Sequence, residues 1–492
     1  MKYYVDNNAH GNGNGSSWGS AWNSFSSIDW SVTKPGDTVY ISGGSTSQTY
    51  NETLNVGASG SASGKITITK GTDPGHNGDV ILDGGNHLSA GVVLNGKNHV
   101  EVSNLDVKNF AGAGFVVKNA TAGVLVEHNS VYSGDPGGGN ARGYDVRNSS
   151  GHDAVVVREN SFSTPTNTAA QTDGIWSSGN NGVLFENNHI VISNSNMSGH
   201  SDGIQSFQDF NITVKGNLFE QANSAPYNNH GAWLSNTRDG GTISFHDNVV
   251  KTPNLTQDSA VTHWAESSWT EHGSADIFNN TIIGGGRALN FENSPDVEIY
   301  NNVLQPSSGG VAIYSAAGSP APSHVDYNQF PGSSNVVARL GGSDLTWSQW
   351  QAKGYDAHGV LGVNAAPAPA PQASSAPEVP GTTDTLVLRV SEDAWQGDAQ
   401  FIVKVDGTQV GGINTVTASH AAGQTQDVVL TGNWGHGQHQ MTVDFINDAW
   451  GGTPSTDRNL HVEGILANGV AQSDDHATLF SSGPVHFDVL IA

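Results

Sequence analysis

Three short strings carry the side chains best suited to moving protons. They are Thr172-Asp173-Gly174-Ile175-Trp176, Ser201-Asp202-Gly203-Ile204-Gln205 and Asn229-His230-Gly231-Ala232-Trp233. Two carboxylates held side by side cannot both ionise freely, so repulsion raises the pKa of one and leaves an acid beside a base. An imidazole next to them tunes or relays the proton. Cleavage of a glycosidic bond by water uses such a pair of carboxyl groups. Arg287 would hold a sugar carboxylate or hydroxyls, Gln205 a hydroxyl, and Trp176, Trp233, Trp264 and Trp269 offer flat faces to sugar rings. The plainer reading of the Asp-Gly pairs is turn chemistry, with Asp capping backbone groups or holding a structural calcium.

Two other groups have metal-ligating types. His263 and Glu266, with Glu271 and His272 close behind, would share a helix face, but no third ligand accompanies them and a groove-edge loop is the simpler reading. Near the C-terminus, Glu392-Asp393-Ala394-Trp395-Gln396-Gly397-Asp398 is echoed by Asn447-Asp448-Ala449-Trp450-Gly451-Gly452, which runs on to Asp457-Arg458-Asn459-Leu460. Carboxylates at loop tips with glycines between them suit Ca2+, which takes six to eight oxygens.

The elements that must position the first group repeat. Alternating apolar residues precede Asn129, Asn160, Asn188, Asn217 and Asn248 at intervals of roughly 30 residues, and Asn280 and Asn302 continue the series less evenly. One strand–turn–strand unit cannot bury its apolar face alone, so the units must stack. A right-handed parallel β-helix follows, its coils about 4.8 Å apart, with each Asn amide bonding the next for about 1 kcal/mol net. Laying the coils over one another in the Asn register predicts one column of Asp173, Asp202, His230, Ser259 and Arg287. Ile175, Ile204, Ala232 and Val261 then face the core, and Gly174, Gly203 and Gly231 keep the wall low. A solvent-filled groove floor is expected there.

The chain has 492 residues, 36% hydrophobic and 13% charged, with 62 Gly, a strand-and-turn composition that reads as all-β. Its net charge of −26 repels phosphate backbones and anionic membranes, which argues against nucleic-acid and membrane partners. It also disfavours a polyuronate unless cations screen it. Without cysteine there is no disulfide scaffold, thiolate zinc site or cysteine nucleophile. Alternating Pro-Ala over 364–383 reads as an extended linker between residues 1–363 and 384–492. The last part alternates as a small β-sandwich, with Asp406-Gly407 as a hairpin-like turn. A monomer is expected. Export is inferred from function, with a leader expected to have preceded Met1.

Tyr3-Tyr4-Val5-Asp6, with Pro35-Gly36-Asp37-Thr38-Val39-Tyr40-Ile41, resembles the start of secreted right-handed β-helix proteins of the pectate-lyase-like superfamily. Asp326-Tyr327-Asn328 and the segment from Trp347 to His358 resemble its closing segment. The resemblance spans nearly all of 1–363 and implies the fold; the superfamily hosts lyases, hydrolases, epimerases and phage depolymerases. The Asp173 and His230 strings are similar to polygalacturonase-type hydrolases, which place Asp, Asp and His on successive coils. Asp202 lacks a paired neighbouring Asp, however, and no Arg-x-Lys segment follows. Elimination from a uronate is the rival reaction, with Asp173 and Asp202 on calcium and Arg287 or His230 as base. A non-catalytic adhesin is the third reading. Residues 384–492 closely resemble calcium-dependent xylan-binding carbohydrate modules. That resemblance implies a Ca2+ held by Asp393, Asp398, Asp448 and Asp457, with Trp395 and Trp450 giving backbone oxygen or stacking, and with sugar hydroxyls bound directly to the ion.

Overall fold

The computed structural model describes residues 1–362 and 384–491, apart from position 12, the segments 134–140, 165–171, 194–200, 222–228, 236–240 and 265–272, position 295 and the segment 333–335. In the C-terminal part 406–407, 433, 435–436, 454–455, 468–469 and 473–475 are likewise outside the description. The chain forms two compact units, residues 1–375 and 376–492. Among the described residues no helix is long and apolar enough to cross a membrane.

The first unit is a β-helix of three sheets, each of 12 strands. One face carries Val124–Glu127, Val155–Arg158, Leu184–Glu186, Ile212–Lys215 and Thr242–His246, each paired parallel with the next. After each strand comes one left-handed residue: His128, Glu159, Asn187, Gly216 and Asp247 all have φ between 52° and 63°. The Asn that follows is buried, and its Nδ2 donates to Oδ1 of the Asn one coil on, at 2.9–3.1 Å, from Asn129 through Asn160, Asn188, Asn217, Asn248, Asn280 and Asn302 to Asn328. The ladder ends on Asp356, which takes Asn328 Nδ2 at 2.9 Å and the indole N–H of buried Trp350 at 2.8 Å. The expected stack is therefore present and two rungs longer. Trp350 lies on the single α-helix among the described residues, Trp347–Ala352, begun by a Thr346–Gln349 capping box.

The face that bears the acidic column contains Ala141–Arg147, Thr172–Ser178, Ile204–Phe207, Ala232–Ser235, Ser259–Trp264, Arg287–Glu292 and Val311–Tyr314. Ile175, Ile204, Ala232 and Val261 pair in register and are wholly buried, as expected. The glycines do something else. A Cβ on Gly174 would sit 2.2 Å from Ile190 Cγ2, one on Gly203 2.7 Å from Phe219 Cδ1, and one on Gly231 2.2 Å from Val250 Cγ1. They point inward, where the third sheet crowds the corner, so they are absent-side-chain positions of the core and not a low outer wall.

The second unit packs two antiparallel sheets. One orders Gln426–Gly432, Asp384–Asp393, Asn459–Ala467 and Val470–Ala471; the other Thr408–Thr415, Gln400–Val405, Gly437–Phe445 and Gly483–Ile491. Leu386, Leu388, Phe401, Val403, Met441, Val443 and Leu460 are fully buried between them. The turn expected at Asp406-Gly407 and the linker at 364–383 lie outside the described residues.

Candidate active site and sugar-binding loops

The acidic column forms as the Asn register demands. Arg142 pairs with Asp173, and Ser259 with Arg287; between them the pairing of Ile175 with Ile204, Ile204 with Ala232, and Ala232 with Val261 lines up Asp173, Asp202, His230 and Ser259. Asp173 Oδ1 accepts the main-chain N–H of Asp202 at 3.1 Å. Asp202 Oδ1 accepts both the main-chain N–H of His230 and its ring Nδ1, each at 2.9 Å. The other ring nitrogen, Nε2, lies 3.4 Å from Asp258 Oδ1. His230 thus stands between two carboxylates. Burial alone would lower its pKa, but Asp202 and then Asp258 outweigh that and push it up to about 9. Burial, followed by repulsion from Asp202, drives the Asp173 carboxyl well above the usual carboxylate range.

The expected open trough is not what surrounds these groups. Asp173 is 3% exposed, and Asp202 and His230 are 0% exposed. Three residues on from each lies the outward-facing column, which His230 and the Arg142 beside Asp173 touch. The ring of His230 meets Trp233 edge-on at 4.5 Å, and the guanidinium of Arg142 lies 4.0 Å over Trp176. That outer column reads Asp145, Trp176, Gln205, Trp233, Thr262, Asn290 and Tyr314. Trp176, Gln205, Trp233 and Trp264 are partly exposed and form the accessible edge, with Trp233 and Trp264 tilted at 6.2 Å. Trp176 Nε1 and Gln205 Oε1 have no hydrogen-bond partner among the described residues.

Arg287 does not join the acids. It sits two coils past His230 with its guanidinium 3.9 Å over the Tyr314 ring. The cation beside the carboxylates is Arg142, which also lies 3.5 Å from Asp145. Neither Arg142 nor Asp258 belongs to an Asp-Gly or His-Gly string, so motif spacing does not mark them; counting one coil back from Asp173 reaches Arg142. His263 faces inward, bonds Ser294 Oγ at 2.7 Å, and has its pKa lowered by burial to about 4. Its burial removes it from the groove-edge metal reading; Glu266, Glu271, His272 and Trp269 lie outside the described residues.

In the C-terminal unit the two echoed strings form facing loops. Trp450 and Asp457 bridge the second loop, and the main-chain N–H of Asp448 reaches Ser482 Oγ at 3.0 Å. Trp450 and Phe480 are 58% and 67% exposed. Residues 385–482 match the family described as Ca-dependent carbohydrate-binding module, xylan-binding, and residues 90–262 match that described as right handed beta helix region. The chain thus joins a β-helix to a carbohydrate-binding module. Among solved structures, the module named vCBM60 in complex with galactobiose is 20% identical over 21% of this chain and 97% of its own, with a TM-score of 0.16. A GH136 lacto-N-biosidase from Eubacterium ramulus is 13% identical over 69% of this chain and 67% of its own, TM-score 0.40. XylC in complex with xylose is 9% identical over 99% of this chain and all of its own, TM-score 0.42. No curated protein matches the chain.

Within the module the donor set can be tested for calcium. Asp448 Oδ1, Asp457 Oδ1 and Asn459 Oδ1 are enclosed oxygens with no hydrogen-bond partner among the described residues. Oxygens that accept only, buried and unanswered, fit a hard cation. The other expected ligands have these surroundings. Asp393 Oδ2 takes His461 Nε2 at 2.9 Å and Asn459 Nδ2 at 3.3 Å, the Trp395 carbonyl takes Arg458 Nη2 at 2.6 Å, and the Asp398 side chain is exposed. Trp450 presents its indole to solvent. Phe480, which no motif surrounds, adds a second exposed ring at the same loops.

Proposed function

We propose that this protein is a secreted polysaccharide-degrading enzyme, a glycoside hydrolase whose β-helix cuts a glycan held by the carbohydrate-binding module. The observation that carries the reading is the Asp173–Asp202–His230 column: one carboxyl pushed toward keeping its proton, beside a second fixed by a charged imidazole. Asp173 donates the proton to the departing sugar oxygen. As the glycosidic C–O bond breaks, Asp202 takes a proton from the water that adds to the anomeric carbon, and His230, clasped between Asp202 and Asp258, holds its direction. Trp176, Trp233 and Trp264 present rings to sugar at the partly exposed edge.

His230 also supports hydrolysis over elimination. An imidazole that keeps its proton to about pH 9 is a poor base at neutral pH. In the module, Asp448, Asp457 and Asn459 would hold the Ca2+, which would bind sugar hydroxyls, while Trp450 and Phe480 stack on the rings. The linker would then raise the local concentration of glycan at the β-helix without new contacts there. The test is incubation with a panel of neutral and uronate-containing glycans. New reducing ends without the ultraviolet absorbance of an unsaturated uronate are expected. That absorbance would mean elimination, and binding without any cleavage would mean an adhesin; either outcome rejects the hydrolase.

A further inference from the structure

The outer face of one module sheet holds a second cluster of metal-ligating side chains. On Asn459–Ala467, Leu460 and Val462 point into the core, so His461 and Glu463 project from the opposite face. Ser391 pairs with His461 in register. The short turn His420–Ala422 lays the His420 ring flat on that of His461, with centroids 3.8 Å apart and planes within 8°. One donor atom each from His420, His461 and Glu463 lies within 4.8 Å of the others.

Both His461 nitrogens have a partner, Nε2 with Asp393 Oδ2 at 2.9 Å and Nδ1 with the Thr478 hydroxyl at 3.0 Å, so a metal bound at Nδ1 would displace the Thr478 contact while Asp393 keeps Nε2. A carboxylate behind a ligating imidazole in this way raises its basicity and fixes its orientation. His420 Nδ1 is 2.8 Å from Glu463 Oε1, a gap now bridged by a proton that a cation would replace. Two imidazoles and one carboxylate make a zinc donor set, whereas calcium takes oxygens. Ligand atoms around tetrahedral zinc are about 3.3 Å apart, given bonds of about 2.0–2.1 Å. The cluster must therefore contract, and the His420 side chain, 47% exposed, has room to rotate inward.

We propose that His420, His461 and Glu463 form a zinc site on the carbohydrate-binding module, with Asp393 orienting His461, that clips the 420–422 turn to the sheet. The experiment is calorimetric titration of Zn2+ into the metal-stripped full chain in saturating Ca2+, followed by Co2+ substitution. One Zn2+ per chain is expected, with the visible absorption of four-coordinate Co2+. His420→Ala and Glu463→Gln should each weaken uptake at least about tenfold, while both still bind glycan in Ca2+, which shows that they fold. No zinc uptake by the wild type, displacement of the zinc by excess Ca2+, or uptake by either variant as tight as that of the wild type would each overturn the site.

Discussion

In the β-helix, Asp202 is met from within by the N–H and the imidazole of His230, both at 2.9 Å, and Asp173 is driven toward holding a proton. In the module, Asp448 and Asp457 each keep an enclosed oxygen that no described residue answers. Both regions gather carboxylates, yet in the first they accept from a neighbouring N–H or imidazole and in the second they keep an oxygen without a described partner. The difference follows from the scaffolds. Parallel coils bring equivalent positions of successive repeats to one spacing, so like groups stack and must share protons. Loops at the end of an antiparallel sandwich are free to turn several oxygens toward one point, an arrangement that suits a cation.

The sharpest break between the two regions is Asp202→Asn. It should lower turnover at least about 1000-fold, roughly 4 kcal/mol of activation free energy, while glycan binding by the module stays unchanged. Turnover at the wild-type level would remove Asp202 from the chemistry. Alkaline titration comes next. The His230 pKa is raised in the fold from 6.5 to about 9, so the stability it contributes is complete below its unfolded pKa and is lost as pH climbs through the folded one. Over that window the β-helix should lose about 3 kcal/mol relative to a His230→Asn variant, measured by denaturant unfolding at a series of pH values; parallel profiles would show that the imidazole is not held charged. Chelation of calcium, or Asp457→Asn, should weaken glycan binding about 100-fold, near 2.7 kcal/mol, and leave cleavage of a short soluble oligosaccharide intact. Binding that survives the chelator would contradict calcium in the loops. The smallest effect belongs to the ladder. Asn217→Ala removes donors to Phe185 O, Lys215 O and Asn248 Oδ1 and the acceptor for Asn188, and should cost about 2 kcal/mol. A denaturation midpoint equal to wild type would show that neighbouring groups replace those bonds.

Periodicity set how much of the molecule is legible in its residues. The Asn repeat alone implies stacking, and counting along it places Asp173, Asp202 and His230 in one column. The same counting does not tell which way the glycines face. Only the packed coils show that Ile190, Phe219 and Val250 of the third sheet fill the space a side chain at these glycines would need. Counting one coil back from Asp173 reaches Arg142, whereas Asp258 lies outside the column and only the folded coils bring it to His230. In the module, the repeated Asp-Ala-Trp strings mark the loops, and the contacts of Asp393 with His461 and of Trp395 with Arg458 come from strand register that the strings do not encode.

By itself, then, the sequence determined the repeat, the sheet class, the two-unit organisation of its patterning and the residues that share a column, since these follow from local alternation and spacing. Only the tertiary structure decided which carboxylates are enclosed, which are answered by a neighbour and which keep a bare oxygen. Burial and electrostatic partnership arise between segments far apart in the chain, and no local pattern encodes the distance between them.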